Sequence, residues 1–164
     1  MYSRQQGEIS GKEKVATAGT ADGEGEVKPI ILTVYGVPVA QGRPKFFRRG
    51  NHVGAYDPKK SRDYKSSIRL QALDQLSRGG TMPPLYEDAL KMDVTAYLPR
   101  PKTLPKRVLY HVKRPDADNI AKGCKDALKG VVYKDDSQIV ERRVRKEYGD
   151  PPRVVIGLRG MNHA

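Results

Sequence analysis

The stretch that decides the fold reads RPDADNIAK, from Arg114 to Lys122, and YKDDSQ follows it at residues 133–138. Four aspartates and two lysines, Lys122 and Lys134, stand in these two short segments of a chain whose formal net charge is +12. Carboxylates repel one another, so gathering them this densely is costly unless a cation lies between them. The pattern therefore indicates a site for a divalent metal ion.

The first two aspartates follow a proline. Pro115 biases Arg114 toward an extended backbone, which places Asp116 at the end of an extended segment. Because side chains alternate along such a segment, Asp116 and Asp118 should point to one side. The two carboxylates can then share one ion.

The motif also marks the start of a helix. Asp118 is a natural N-cap for a helix that begins near Asn119, and Lys122 follows one turn later on the same face. At least one of Asp135 and Asp136, which follow that helix, can complete the ligand set. Each aspartate taken singly is more commonly a cap or a turn residue, but their joint spacing with the lysine favours a site.

The donor types indicate the metal and the reaction. Carboxylate oxygens without a His or Cys cluster favour Mg²⁺ or Mn²⁺ over zinc. Such an ion orients a water, lowers its pKa and neutralises charge that builds on a phosphodiester oxygen. Lys122 can stabilise the same transition state.

Composition sets the class of protein. With 164 residues, 37% hydrophobic and 30% charged, the chain predicts one soluble domain without a transmembrane helix. The N-terminus lacks the apolar core of a signal peptide, so we expect a cytoplasmic protein. The first 28 residues hold four basic and five acidic side chains, which leaves a strongly basic body. Such a body predicts a polyanionic partner, most often nucleic acid.

Periodicity and turn signals predict a disordered tail at residues 1–28 and one domain at residues 29–164. The expected elements are a strand at 29–35, a basic hairpin or loop at 37–56, a helix from Asp57–Pro58 to Gly79–Gly80, a strand at 89–98, a loop or short helix at 99–108, the helix after the aspartate motif, and strands at 138–148 and 153–158. The last two strands should pair as a terminal hairpin. This order indicates an α+β domain with one mixed sheet and helices packed on it.

Helical spacing also predicts which faces are buried. In the first helix, which Asp57 should cap, the apolar positions are Tyr64, Ile68, Leu70, Ala72, Leu73 and Leu76. In the second helix they are Ile120, Cys124, Ala127 and Leu128. Cys124 is the only cysteine, and we expect it to be a buried apolar residue.

Basic side chains interleave with aromatics in the predicted hairpin, where Phe46 and Phe47 are available for stacking on bases. Core packing of one phenylalanine is an equally good interpretation. The candidate DNA contacts are Arg43, Lys45, Arg48, Arg49, Lys59, Lys60, Lys113 and Arg114.

Together these segments make the chain similar to the RusA family of Holliday junction resolvases, which are small phage- and prophage-associated endodeoxyribonucleases. The resemblance covers nearly all of residues 29–158. It rests on the segments GVPVAQGRP at 36–44, YDPKK at 56–60, DADNIAK at 116–122, DAL at 126–128 and KDDSQ at 134–138.

The resemblance implies a RusA-like fold and a set of roles. Asp116, Asp118 and Asp136 would bind Mg²⁺, with Asp135 as the alternative to Asp136, and Lys122 would be needed for cleavage. It also implies a homodimer that binds a four-way junction and makes paired nicks in DNA recombination and repair. Two sites suit a two-fold junction, which offers two equivalent scissile phosphates.

Two other interpretations remain open. The chain can be a non-catalytic basic DNA-binding protein whose aspartates are only caps and turns. Alternatively it can be a nuclease for other branched substrates, such as flaps and forks, or for RNA.

Overall fold

The structure, a computed structural model, describes residues 29–161, so the predicted tail at 1–28 and the last three residues of the predicted domain lie outside it. The helices and strands are β1 (Ile30–Tyr35), β2 (Lys45–Arg49), β3 (His52–Tyr56), α1 (Lys59–Ser77), β4 (Leu90–Leu98), α2 (Ala117–Leu128), β5 (Ile139–Tyr148) and β6 (Arg153–Gly160). Residues 99–108 form a loop. No helix within residues 29–161 has both the length and the apolar character that crossing a membrane requires.

One mixed sheet organises the fold. Its strands lie in the order β1, β6, β4, β5, and the pairing is antiparallel except between β4 and β5. Alternate residues of β4 are buried, as predicted, and they share one hydrophobic core with residues of α1 and α2. The predicted α+β class, with a mixed sheet and helices packed on it, is confirmed.

The predicted terminal hairpin is wrong, because β4 lies between β5 and β6. β4 buries one whole face, as a central strand does, whereas β5 carries several exposed arginines that suit a sheet edge. The connection crosses the end of β4, where the Gly149 N–H donates to the Leu98 carbonyl (2.9 Å). A Cβ at Gly149 would lie 2.8 Å from the Tyr97 side chain, so only glycine fits this crossing.

Both helices bury the predicted faces, with one exception. Tyr64, Ile68, Ala72 and Leu76 recur every four residues in α1 and are buried, whereas Leu70 is 67% exposed. Its position lies about half a turn away from theirs, which points the side chain to solvent. In α2 the predicted apolar face is buried, and burial raises the pKa of the Cys124 thiol to about 12.

The start of α1 differs from the prediction that Asp57 is its cap. Pro58 takes the N-cap position, and no side chain makes a capping hydrogen bond. The Asp57 carboxylate instead accepts a hydrogen bond from the Lys65 ammonium (2.5 Å). The helix therefore begins with Lys59 and Lys60 exposed to solvent.

Side chains of α1 cover the free edge of β1. The backbone of β1 at Thr33 and Tyr35 is hydrogen bonded by the side-chain amides of Gln75 and Gln71 from α1, at distances from 2.8 to 3.0 Å. These amides occupy an edge that another strand could otherwise join.

The predicted basic hairpin is confirmed as a separate two-stranded sheet of β2 and β3.

Candidate active site

The aspartate motif lies where the loop after β4 turns into α2. Lys146 of β5 holds this loop, because its ammonium donates to the backbone carbonyls of Lys113 (2.7 Å) and Pro115 (2.8 Å). Asp116 follows in an extended conformation, with φ −73° and ψ 140°, and α2 begins at Ala117. The sheet therefore fixes the point at which the motif enters the helix.

The helix begins at Ala117, so the prediction that Asp118 is its N-cap is wrong. Asp116 takes that position, but its carboxylate makes no capping hydrogen bond. Pro115 fixes its own φ and restricts the residue before it but not the residue after it, so Asp116 is free to start the helix. Instead of alternating along an extended segment, the two carboxylates stand at the opening turn of one helix.

Asp118 and Lys122 lie on the exposed side of α2. Asp118 pairs with Arg142 of β5 at 3.0 Å, and its side chain is 84% exposed. Lys122 is exposed one turn further along, on the same face. Among residues 29–161 no carboxylate pairs with Lys122, so its ammonium is available to a phosphate. Arg142 was not predicted, because no local pattern indicates that β5 lies beside this helix.

Asp135 caps the single turn of 3-10 helix at Asp136–Gln138. Its carboxylate accepts from the Ser137 N–H (3.0 Å) and pairs with the Lys129 ammonium (2.5 Å), one oxygen for each partner. Lys129, followed by Ser137, holds the pKa of the Asp135 carboxyl well below its usual range, and Asp135 raises the pKa of Lys129 in turn. Both carboxylate oxygens of Asp135 therefore already hold the turn.

Asp136 lies at the opposite end of α2 from the first two aspartates. It pairs with Lys125 at 3.0 Å and with Lys129 at 3.8 Å. Lys125 follows Asp118 by seven residues, so the two residues are about 10 Å apart along the axis of α2. Within the described residues, no three His, Cys, Asp or Glu side chains form a group that could hold a metal ion. One chain thus does not bring the predicted ligands into a single cluster.

Asp116 and Asp118 both lie at the start of α2, and their chemistry suits a hard divalent cation. Both are exposed, and the Asp116 carboxylate makes no capping hydrogen bond to the helix. Their all-oxygen donor chemistry suits Mg²⁺ or Mn²⁺. Asp136 fits the same ion only after it leaves Lys125 and Lys129. The start of α2 therefore supplies two exposed carboxylates, of which that of Asp118 is also paired with Arg142.

The segment before the hairpin is tied to the same end of α2. The Gln41 N–H donates to the Asn119 carbonyl (2.9 Å), and the Gly42 N–H donates to the Ser61 hydroxyl (2.9 Å). The side-chain oxygen of Gln41 is buried and has no hydrogen-bond partner among the described residues. The sequence did not indicate a role for Gln41, which here joins the segment leading to the hairpin to the aspartate motif.

The predicted DNA contacts share one property, which is exposure to solvent. All eight are exposed: Arg43, Lys45, Arg48, Arg49, Lys59, Lys60, Lys113 and Arg114. They lie on the hairpin, at the start of α1 and in the loop that enters α2. Exposed cations on three segments are what contacts to a phosphate backbone require.

Comparison with known proteins supplies the family. The family model described as endodeoxyribonuclease RusA matches residues 36–159, which include both aspartate segments. The chain is also 39% identical over 143 residues to "Uncharacterized protein YqaN" of Bacillus subtilis (strain 168), covering 81% of this chain and 97% of that protein. The chain therefore belongs to the RusA family of endodeoxyribonucleases.

Proposed function

We propose that this chain is a cytoplasmic, Mg²⁺-dependent endodeoxyribonuclease, with Mn²⁺ as a substitute, that resolves four-way DNA junctions by paired nicks. One observation carries the proposal: Asp116 and Asp118 both lie at the start of α2, and Lys122, which pairs with no carboxylate among residues 29–161, is one turn beyond Asp118. Membership of a nuclease family supports the class of reaction. Recombination and repair are the processes in which four-way junctions need such an enzyme.

Asp116 and Asp118 would hold the metal ion, and Asp136 is the third proposed ligand. A bound divalent ion supplies a water of lowered pKa and positive charge beside the scissile phosphate. Lys122 adds a fixed positive charge on the same face of α2, where a phosphate oxygen becomes more negative during cleavage. Asp135 keeps a structural role in this scheme, since both of its oxygens hold the turn.

The cations beside the aspartates have a role before metal binds. Arg142 neutralises Asp118, and Lys125 neutralises Asp136, at 3.0 Å in each case. Without these partners, the carboxylates would repel the phosphate backbone that the surrounding basic surface attracts. We therefore assign Arg142 and Lys125 to balancing the charge of the site rather than to the chemistry.

A homodimer is part of the proposal for two physical reasons. A four-way junction presents two equivalent scissile phosphates, which two copies related by a two-fold axis can address together. In addition, Asp136 lies at the opposite end of α2 from Asp116 and Asp118, so a second copy can supply the third carboxylate.

The experiment compares Asp118→Asn with wild type in a nicking assay on a synthetic four-way junction. Removing this carboxylate should slow nicking by about 100-fold or more, with junction binding largely kept. Asp74→Asn is the matched control, because Asp74 also forms an exposed ion pair, with Arg78 at 2.7 Å. Nicking by Asp118→Asn at the wild-type rate, or nicking that persists in excess EDTA, would contradict the proposal.

Two more variants separate the aspartates of the second segment. Asp136→Asn should lose nicking while its thermal unfolding midpoint stays near that of wild type. Asp135→Asn should keep nicking near the wild-type rate, because the Asp135 carboxylate holds the turn and is not assigned to the metal ion. Flap, fork, duplex and RNA substrates complete the series. Binding without any metal-dependent product would favour the non-catalytic alternative.

A further inference from the structure

The hairpin of β2 and β3 has two chemically different faces. Its register pairs Phe46 with Ala55, Phe47 with Gly54 and Arg48 with Val53. Because side chains alternate along a strand, Phe46, Arg48, Val53 and Ala55 share one face. Phe47 and Gly54 lie on the other.

The Phe47 face is packed within the hairpin. The Phe47 ring lies over Gly54 so closely that a Cβ there would be 2.5 Å from it, and its centroid is 6.2 Å from that of Tyr56. A two-stranded hairpin is marginally stable by itself, so this aromatic packing has a structural purpose. Phe47 is therefore committed to holding the hairpin together.

The face that carries Phe46, by contrast, is exposed to solvent. Phe46 is 76% exposed and Val53 is 65% exposed. Phe46 is the more exposed of the chain's two phenylalanines. The hairpin joins no other strand among the described residues. Two large apolar side chains, Phe46 and Val53, exposed on one face of the hairpin indicate a surface that meets a partner.

The charge of the hairpin selects the partner. Residues 37–56 contain Arg43, Lys45, Arg48 and Arg49 and no acidic residue. The same face of a second copy carries the same cations and is repelled by this one, whereas nucleic acid is attracted. In a continuous duplex the bases already stack on one another, so an aromatic ring finds a free base face only where stacking is interrupted.

We propose that Phe46 stacks on an unstacked base at the branch point of the DNA while the cations of the hairpin contact the flanking phosphates. This inference rests on the proposed function, because it takes branched DNA as the substrate. It adds a residue that recognises the branch itself and explains why the two phenylalanines have different roles.

The chain contains no tryptophan, so Phe46→Trp introduces a single fluorescent reporter at the proposed contact. Tryptophan emission is quenched when the indole stacks on a base. We expect quenching by a four-way junction in EDTA, where no cleavage occurs, and much less by a duplex of the same sequence. Leu70→Trp is the matched control, because Leu70 is 67% exposed on α1 outside the hairpin, and its emission should not change.

Binding affinity supplies a second measurement. Phe46→Ala should weaken junction binding by about tenfold, in the lower part of the range for losing one stacked base, and duplex binding much less. Phe46→Tyr keeps the ring and should restore the junction preference, whereas Phe46→Leu, which keeps only apolar area, should not.

The outcomes separate this inference from the proposed function. Junction binding without quenching, equal quenching by duplex, or full rescue by Phe46→Leu would overturn the stacking role. Association of the wild type into larger species that Phe46→Ala abolishes would assign this face to a second copy and overturn it too. Quenching by a junction that the chain binds but never nicks would leave the stacking role intact and contradict only the nuclease.

Discussion

Replacing Gln138 by Ala tests how the second aspartate segment is held. Its side-chain oxygen accepts from the Asp135 N–H (2.7 Å), and its amide nitrogen donates to the carbonyls of Tyr86 (2.9 Å) and Asp88 (3.1 Å). One amide thus joins the turn that presents Asp136 to the segment that leads into β4. Loss of these bonds should loosen both segments at once.

The magnitude follows from the three hydrogen bonds. Each contributes about 1 kcal/mol net, and water can replace the one to exposed Asp88, so Gln138→Ala should lower the free energy of unfolding by about 2 kcal/mol. For a chain of this size that is a fall of about 4–8 °C in the thermal midpoint. Gln138→Met, which keeps the length of the side chain, should lose nearly as much.

Lys134→Ala is the matched control, measured by urea and thermal unfolding monitored by circular dichroism. Lys134 links the same two segments through an ion pair with Glu87 (2.6 Å), but both side chains are more than half exposed. Exposed pairs contribute little, so this variant should stay within about 0.5 kcal/mol of wild type. If Gln138→Ala were no more destabilising than Lys134→Ala, the assignment of the amide as the main connection would be refuted.

Two other predictions concern pH and salt. Burial, followed by Lys146, lowers the pKa of His111 from 6.5, so the folded chain binds this proton less readily than the unfolded chain. The free energy of unfolding should therefore fall as the pH drops from 7.5 through 6.5 and below. His111→Phe, which keeps a ring against Tyr148, should reduce the accompanying fall in the urea midpoint. An unchanged fall would exclude His111 as its cause. Replacing Arg48 and Arg49 together by Ala should lower the slope of log binding constant against log salt by up to about 2 units. An unchanged slope would show that neither arginine contacts phosphate.

The sequence by itself determined the local elements, because their signals lie within a few residues. Alternation predicted β4, helical spacing predicted most of the buried face of α1, and turn signals predicted a hairpin or loop at residues 37–56. Five short segments, among them DADNIAK and KDDSQ, indicated the family. The exact start of α2 was missed, since Asp116 and Asp118 are equally good caps and only the held loop before them selects one.

Only the tertiary structure decided which distant groups meet. The order of strands put β4 between β5 and β6, which placed Arg142 against Asp118 and left no terminal hairpin. It also put Asp136 beside Lys125, at the far end of α2 from Asp118. Ion pairs of this kind depend on how helices pack on a sheet, and packing is set by the burial of apolar faces across the whole domain. Local sequence carries the residue types for such a site, but not the distances between them.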